Sequence, residues 1–203
     1  MNNHDRYANY QQLAAYETEG RDYRRVLRTA GRSNVAIIAP HGGGIEPVTS
    51  GISRTLARDE FNLYLFEGIK PRSNKYLHVT SRNFDEPCCL ELISRCDTVI
   101  AIHGCKAEDE CIFLGGLDTD LKQGLAAALR NTPLRVETQG HKFPALDPDN
   151  ICNRGHSGAG VQVEISGPLR RSSNLNALIE AMRKVLARRG TTFPAILPSP
   201  VPY

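Results

Sequence analysis

A chain of 203 residues can build one sizeable hydrophobic core and is short for two. Apolar residues make up 40% and charged residues 23%, an ordinary globular balance, and no apolar run nears the ~20 residues of a membrane-spanning helix, which excludes a helical membrane protein. The formal net charge of +3 is too small to mark a dedicated nucleic-acid binder.

Met1 to Arg28 is polar and lacks the apolar stretch of a signal peptide, so a cytoplasmic protein is expected, released by lysis if it acts outside. A monomer with no membrane partner is expected. Residues 1–30 read as a helical or irregular lead-in. Val35 to Ala39 is a wholly apolar run, the pattern of a strand buried on both faces of a parallel sheet. A helix is predicted from about Thr49 to Glu60, then a strand from Asn62 to Phe66 with Leu63 and Leu65 on one side. Tyr76 to Thr80 alternates and reads as a strand. Pro87 to Arg95 reads as a helix with proline in its first turn. Thr98 to Ile102 is a second apolar strand, Leu121 to Arg130 an alanine-rich helix, and Leu134 to Thr138 and Val161 to Ile165 two more strands. Asn174 to Arg189 carries Leu175, Leu178, Ile179, Met182, Val185 and Leu186 at helical spacing. The four prolines from Phe193 onward exclude a helical tail.

Strands alternating with helices predict a single α/β domain, a mostly parallel mixed sheet flanked by helices, with residues 1–20 and 193–203 peripheral. The six cysteines lack the paired short spacings of a structural zinc site and read as buried free thiols, although a Cys105–Cys111 bridge is open. The basic clusters Arg21, Arg24, Arg25, Arg28 and Arg183, Lys184, Arg188, Arg189 read as solvated helix faces or as a surface that draws in a polyanion.

In such sheets function gathers at the carboxyl ends of the strands. Three of these ends carry polar residues: Pro40-His41-Gly-Gly-Gly-Ile-Glu46-Pro47, His103-Gly104, and Glu164. His41, Glu46 and His103 make a suitable ligand set for a catalytic zinc, which needs three protein ligands and an open position for water. The glycine run lets the chain turn sharply so that His41 and Glu46 can reach one ion. Glu164, in an otherwise apolar strand, has either a catalytic task or an ion pair with Arg82 or Arg154, because a buried carboxylate without a partner is costly. His78 reads as a packed core residue, His4 as part of the terminus, and His141 and His156 as loop residues. Phosphate-loop and dinucleotide fingerprints are absent from the sequence.

Taken in order, Ala39-Pro-His41-Gly-Gly-Gly-Ile-Glu46-Pro47, Thr80-Ser-Arg-Asn-Phe-Asp-Glu-Pro87, Ile102-His-Gly104, Asn153-Arg-Gly155 and Gly160-Val-Gln-Val-Glu164-Ile-Ser166 resemble the phage-type poly-γ-glutamate hydrolases over about residues 20 to 190. The resemblance implies a fold similar to the zinc carboxypeptidases, one Zn2+ and hydrolysis of γ-linked glutamate chains. By that pattern His41, Glu46 and His103 match the metal ligands and Glu164 the general acid/base. In the wider carboxypeptidase pattern two residues separate the first His and Glu, whereas here four intervene, Gly42 to Ile45. Each γ-linked residue carries a free α-carboxylate, so Arg82, Arg154 and the neighbouring Asn83 and Asn153 are candidate substrate contacts. A zinc amidase acting on a small N-acyl amino acid and a metal- or polyanion-binding module without turnover are the competing readings.

Overall fold

The computed structural model describes residues 5–31 and 33–189. His4 and the proline-containing tail lie outside the described residues. In chain order the elements are α1 (Tyr10–Tyr16), β1 (Tyr23–Arg28), β2 (Val35–Gly43), α2 (Thr49–Ala57), β3 (Asn62–Gly68), α3 (Pro87–Ile93), β4 (Thr98–Cys105), β5 (Cys111–Gly115), α4 (Thr119–Leu129), β6 (Arg135–Glu137), β7 (Val161–Ser166) and α5 (Leu175–Arg189).

The strands form one mixed sheet in the order β1-β3-β2-β4-β7-β5-β6. Its centre, β3-β2-β4-β7, is parallel throughout, whereas β1 runs antiparallel to β3 and β5 antiparallel to β7. Strand alternation then divides the core in two. Ile37, Ile100, Val163 and their neighbours pack under α2, α4 and α5. Ile38, Val99 and Ala101 pack under α1 and α3. The chain therefore has helices on both faces, as parallel strands joined by crossovers require. From β2 the chain crosses through α2 to β3 on one side, then returns through α3 to β4 on the other. The point between β2 and β4 is where strand order reverses, and in open α/β sheets ligands bind outside the carboxyl ends at such a point.

Two sequence expectations are corrected, β5 is a strand beyond those expected, and the cysteines are free thiols as expected. Tyr76 to Thr80 is not a strand: Asn74–Leu77 is a short 3-10 turn, and its alternation reflects Leu77 and Val79 filling the core under α1 and α3. The lead-in is not merely helical or irregular but contains β1, an edge strand whose arginines face solvent and carboxylates, so its apolar signal is weak. The strand β5 follows an acidic turn and is too short to stand out, yet all five of its residues are buried. All six cysteines are free thiols, so Cys105 and Cys111 are not bridged.

Candidate active site

The site begins with an irregularity in β2. Its register with β3 runs from Ala39↔Leu65 to Gly42↔Glu67, so Pro40 and His41 together stand opposite Phe66. Such a bulge re-aims a side chain. Plain alternation from Ile37 and Ala39 would send His41 toward α2, but its ring instead packs against His78 and Phe84 on the other face. That is the face on which His103 of β4 lies, two residues beyond Ala101.

The His41 and His103 Nδ1 atoms stand 3.1 Å apart. Glu46 closes the triangle, with Oε1 3.2 Å from His41 Nδ1 and Oε2 3.5 Å from His103 Nδ1. The loop that brings Glu46 back is held by its own backbone: the Glu46 N–H donates to the His41 carbonyl, and the Gly104 N–H donates to Glu46 Oε2 at 2.9 Å. Gly43 makes the turn with φ of 62°. His41 Nε2 donates to the Val79 carbonyl at 2.8 Å, which leaves Nδ1 to face Glu46 and His103. Two ring nitrogens and a carboxylate thus converge on one point, the donor set that a cation would take.

A four-coordinate transition metal with bonds of about 2.0–2.2 Å sets its ligand atoms about 3.3–3.6 Å apart, close to the spacing found. The carbonyl behind His41 is the outer partner such a ligand needs to fix its tautomer. His41, Glu46 and His103 could thus hold a metal. His78 also comes within reach, offering with His41 and Glu46 a group of atoms within 4.8 Å of one another. The triangle with His103 is the tighter of the two, while Asp5, 2.7 Å from His78 Nδ1, would orient His78 as the Val79 carbonyl orients His41. Burial alone would raise the Glu46 carboxyl, but the charge of His41 and hydrogen bonds from both histidines pull it well below the usual range.

Glu164 of β7 pairs in register with His103, which places it beside the triangle on the adjacent strand. It is buried, and that burial pushes its carboxyl up to about 7 against the pull of His103. Gln162 Nε2 donates to its Oε1 at 3.0 Å, and Asn150 in turn donates to Gln162 Oε1. Neither Arg82 nor Arg154 pairs with it. Glu164 is therefore a buried carboxylate oriented by an amide chain rather than neutralised by a guanidinium, an arrangement suited to proton transfer.

Above this group opens a cavity of about 700 Å³ lined by His41, Glu46, His78, His103, Gln162 and Glu164 together with Thr80, Ser81 and Arg82. Arg82 reaches it with Nε 3.1 Å from Asp147. Asn83 and Arg154 do not line it. Asn153 is a brace for loops, accepting from the Leu117 and Gly160 N–H groups and donating to the Ala145 and Asp147 carbonyls. His141 is likewise structural: Nε2 donates to the Leu114 carbonyl and Nδ1 accepts from the Phe143 N–H. Sequence reasoning missed the Asp5–His78 pair beside His41; the one signal was that His78 precedes Ser81 and Arg82 in the same run.

Two relatives and two solved structures resemble the chain. UPF0714 protein YndL of Bacillus subtilis strain 168 is 37% identical over 170 residues, 83% of this chain and 66% of YndL. The SPbeta prophage-derived UPF0714 protein YoqZ of the same organism is 35% identical over 169 residues, 82% of this chain and 61% of YoqZ. The chain thus spans less than two thirds of the length of both. A solved bacteriophage poly-γ-glutamate hydrolase superposes with a TM-score of 0.87 at 32% identity, covering 92% of this chain and 98% of that one. The zinc-free apo form of YndL superposes at 0.81 with 30% identity, over 92% of this chain and 99% of that one. The model of the poly-γ-glutamate hydrolase family matches residues 7–185, and the chain belongs to that hydrolase family.

Proposed function

We propose that this chain hydrolyses the γ-glutamyl amide bonds of poly-γ-glutamate, with zinc held by His41, Glu46 and His103 and with Glu164 carrying the proton. The observation behind this reading is the triangle of His41, Glu46 and His103 atoms, 3.1–3.5 Å on its sides, with Glu164 in register beside it. Family membership and the zinc-free form of YndL support the substrate and the metal.

When bound, zinc supplies Lewis acidity, polarising the scissile carbonyl and bringing a water's pKa toward about 7. Glu164 takes the proton of the attacking water and returns it to the leaving amine nitrogen, so one carboxyl serves both halves of the reaction. Gln162 and Asn150 hold that carboxylate's orientation through the cycle. Arg82 at the cavity wall binds an α-carboxylate of the polymer and fixes the scissile amide against Glu164.

The test is the chain length of poly-γ-glutamate after incubation with purified protein, with and without a chelator. Shortening that the chelator abolishes and zinc restores is expected. Intact polymer in the presence of stoichiometrically metal-loaded protein would overturn the substrate and redirect the search to small N-acyl amino acids.

A further inference from the structure

The cavity carries two cations that the proposed reaction does not use. Lys106, immediately after β4, and Lys142, on the loop between β6 and β7, both line it. Among the described residues neither is paired with a carboxylate, whereas Arg24, Arg25, Arg54, Lys70 and Arg82 all are. Of the three acids that follow Lys106, Asp109 is engaged with Arg135 and Glu110 with Asn174.

The segments that carry the two lysines are built rather than loose. Ala107 and Phe143, their chain neighbours, pack on Cys105, Cys111 and Phe113 in a small apolar cluster of their own. His141 spends both ring nitrogens fixing the bend in which Lys142 sits. Gly115 lets the backbone of that bend approach β5 closely: a Cβ there would lie 2.3 Å from the Phe143 carbonyl. The Gly116 N–H donates to the Pro144 carbonyl at 2.9 Å. Lys142 Nζ rests 5.1 Å from the centre of the Phe143 ring.

Charge explains why such cations are needed. Glu46 and Glu164 offset the charge of a bound divalent ion, and Arg82 is already paired with Asp147. The centre alone would then exert little attraction on a polymer bearing one carboxylate per residue. The two lysines supply the missing field. Lysine suits the task, because a point charge on a flexible stem accepts carboxylates that arrive in many orientations.

We infer that Lys106 and Lys142 form a second carboxylate-binding subsite in this cavity, which takes α-carboxylates of the γ-glutamyl chain beyond the one held by Arg82. This rests on the proposed function. The test uses the full, zinc-loaded chain with poly-γ-glutamate as substrate and compares Lys106→Gln, Lys142→Gln, the double Gln variant and the double Arg variant. The double Gln variant should raise KM roughly tenfold, with the loss falling on KM rather than kcat and with a flatter salt dependence. The double Arg variant should return KM to within about twofold of the parent. Both positions are exposed, so a thermal melt should show the parent fold in every variant. Cleavage by the parent with an unchanged KM in the double Gln variant would overturn the subsite alone, as would a raised KM that arginine does not recover. No cleavage by the parent would overturn the proposed function and the subsite with it.

Discussion

His41 and His103 meet because β2 gains a residue just before the site. The register that pairs Ile38 with Ala101 would carry Pro40 beside His103 and turn His41 to the opposite face. The bulge against Phe66 cancels that offset, and the two Nδ1 atoms come to 3.1 Å. The exit from the bulge depends on Gly43, whose φ is 62° and whose Cβ, if present, would lie 2.4 Å from the Gly68 carbonyl oxygen and 2.9 Å from its nitrogen. Backbone cannot yield as a side chain does. Gly43→Ala is expected to cost about 2–4 kcal/mol, combining left-handed strain with overpacking. It should also weaken metal binding, since Glu46 follows three residues later. Denaturant unfolding reads the first effect, and a midpoint equal to the parent's would refute it.

Arg170 fastens the same loop from below. Its Nε donates to the Ile165 carbonyl at 3.1 Å, its Nη1 to Pro47 and its Nη2 to Cys105, so one guanidinium ties the ends of β7 and β4 to the residue after Glu46. Gly104 makes room for it, because a Cβ there would sit 2.6 Å from Arg170 Cζ. Arg170→Ala should therefore weaken zinc affinity by roughly 10–100-fold, the usual effect of losing an outer partner. Gly104→Ala should act in the same direction by displacing the guanidinium. Competition with a chelating dye measures both. Full affinity in Arg170→Ala would mean that the loop holds itself.

The parts of this design differ in how far the sequence discloses them. The central strands are legible because burial on both faces leaves an unbroken apolar run, as in Val35 to Ala39 and Thr98 to Ile102. Their polar ends stand out for the same reason, which is why His41, Glu46, His103 and Glu164 can be named without coordinates. The edge strand β1 is hidden by its arginines, and β5 by its brevity. Substrate contacts are harder still. Arg82 and Arg154 look alike in sequence, each beside an asparagine, yet only Arg82 lines the cavity, because which loop folds over the site is a tertiary fact. The bulge has no signature in composition, since Pro40 could as well end the strand as lengthen it.

Glu67 ties β3 to two other elements. Buried on β3, it accepts from Arg24 of β1 at 2.6 Å and lies 3.4 Å from Arg54 of α2. Burial alone would raise its carboxyl, but the Arg24 hydrogen bond, with Ser50 and the two arginine charges, holds it below its ordinary value. A carboxyl depressed in the folded state contributes stability above its unfolded pKa, about 4.3, and loses that contribution as pH falls through the lower folded value. Glu67→Gln should therefore lower stability at neutral pH by about 1–3 kcal/mol. The gap from the parent should close on acidification below about pH 4. Melts of both proteins across that range check the sign, and a gap that widens in acid would contradict it.

Glu164→Gln separates chemistry from metal binding. Glutamine has the volume of glutamate, and its side-chain oxygen can still accept the Gln162 amide that now lies 3.0 Å from Glu164 Oε1. It leaves intact the triangle of His41, Glu46 and His103, to which Glu164 contributes no atom. Zinc content should accordingly stay stoichiometric. A neutral amide cannot take a proton from water or return it to an amine, so kcat on poly-γ-glutamate should fall by about 10²–10⁴. Zinc lost along with activity would make Glu164 part of the metal site. Zinc retained with activity intact would assign the proton to another group, and His78, held by Asp5 beside His41, is the neighbour in the cavity next in line.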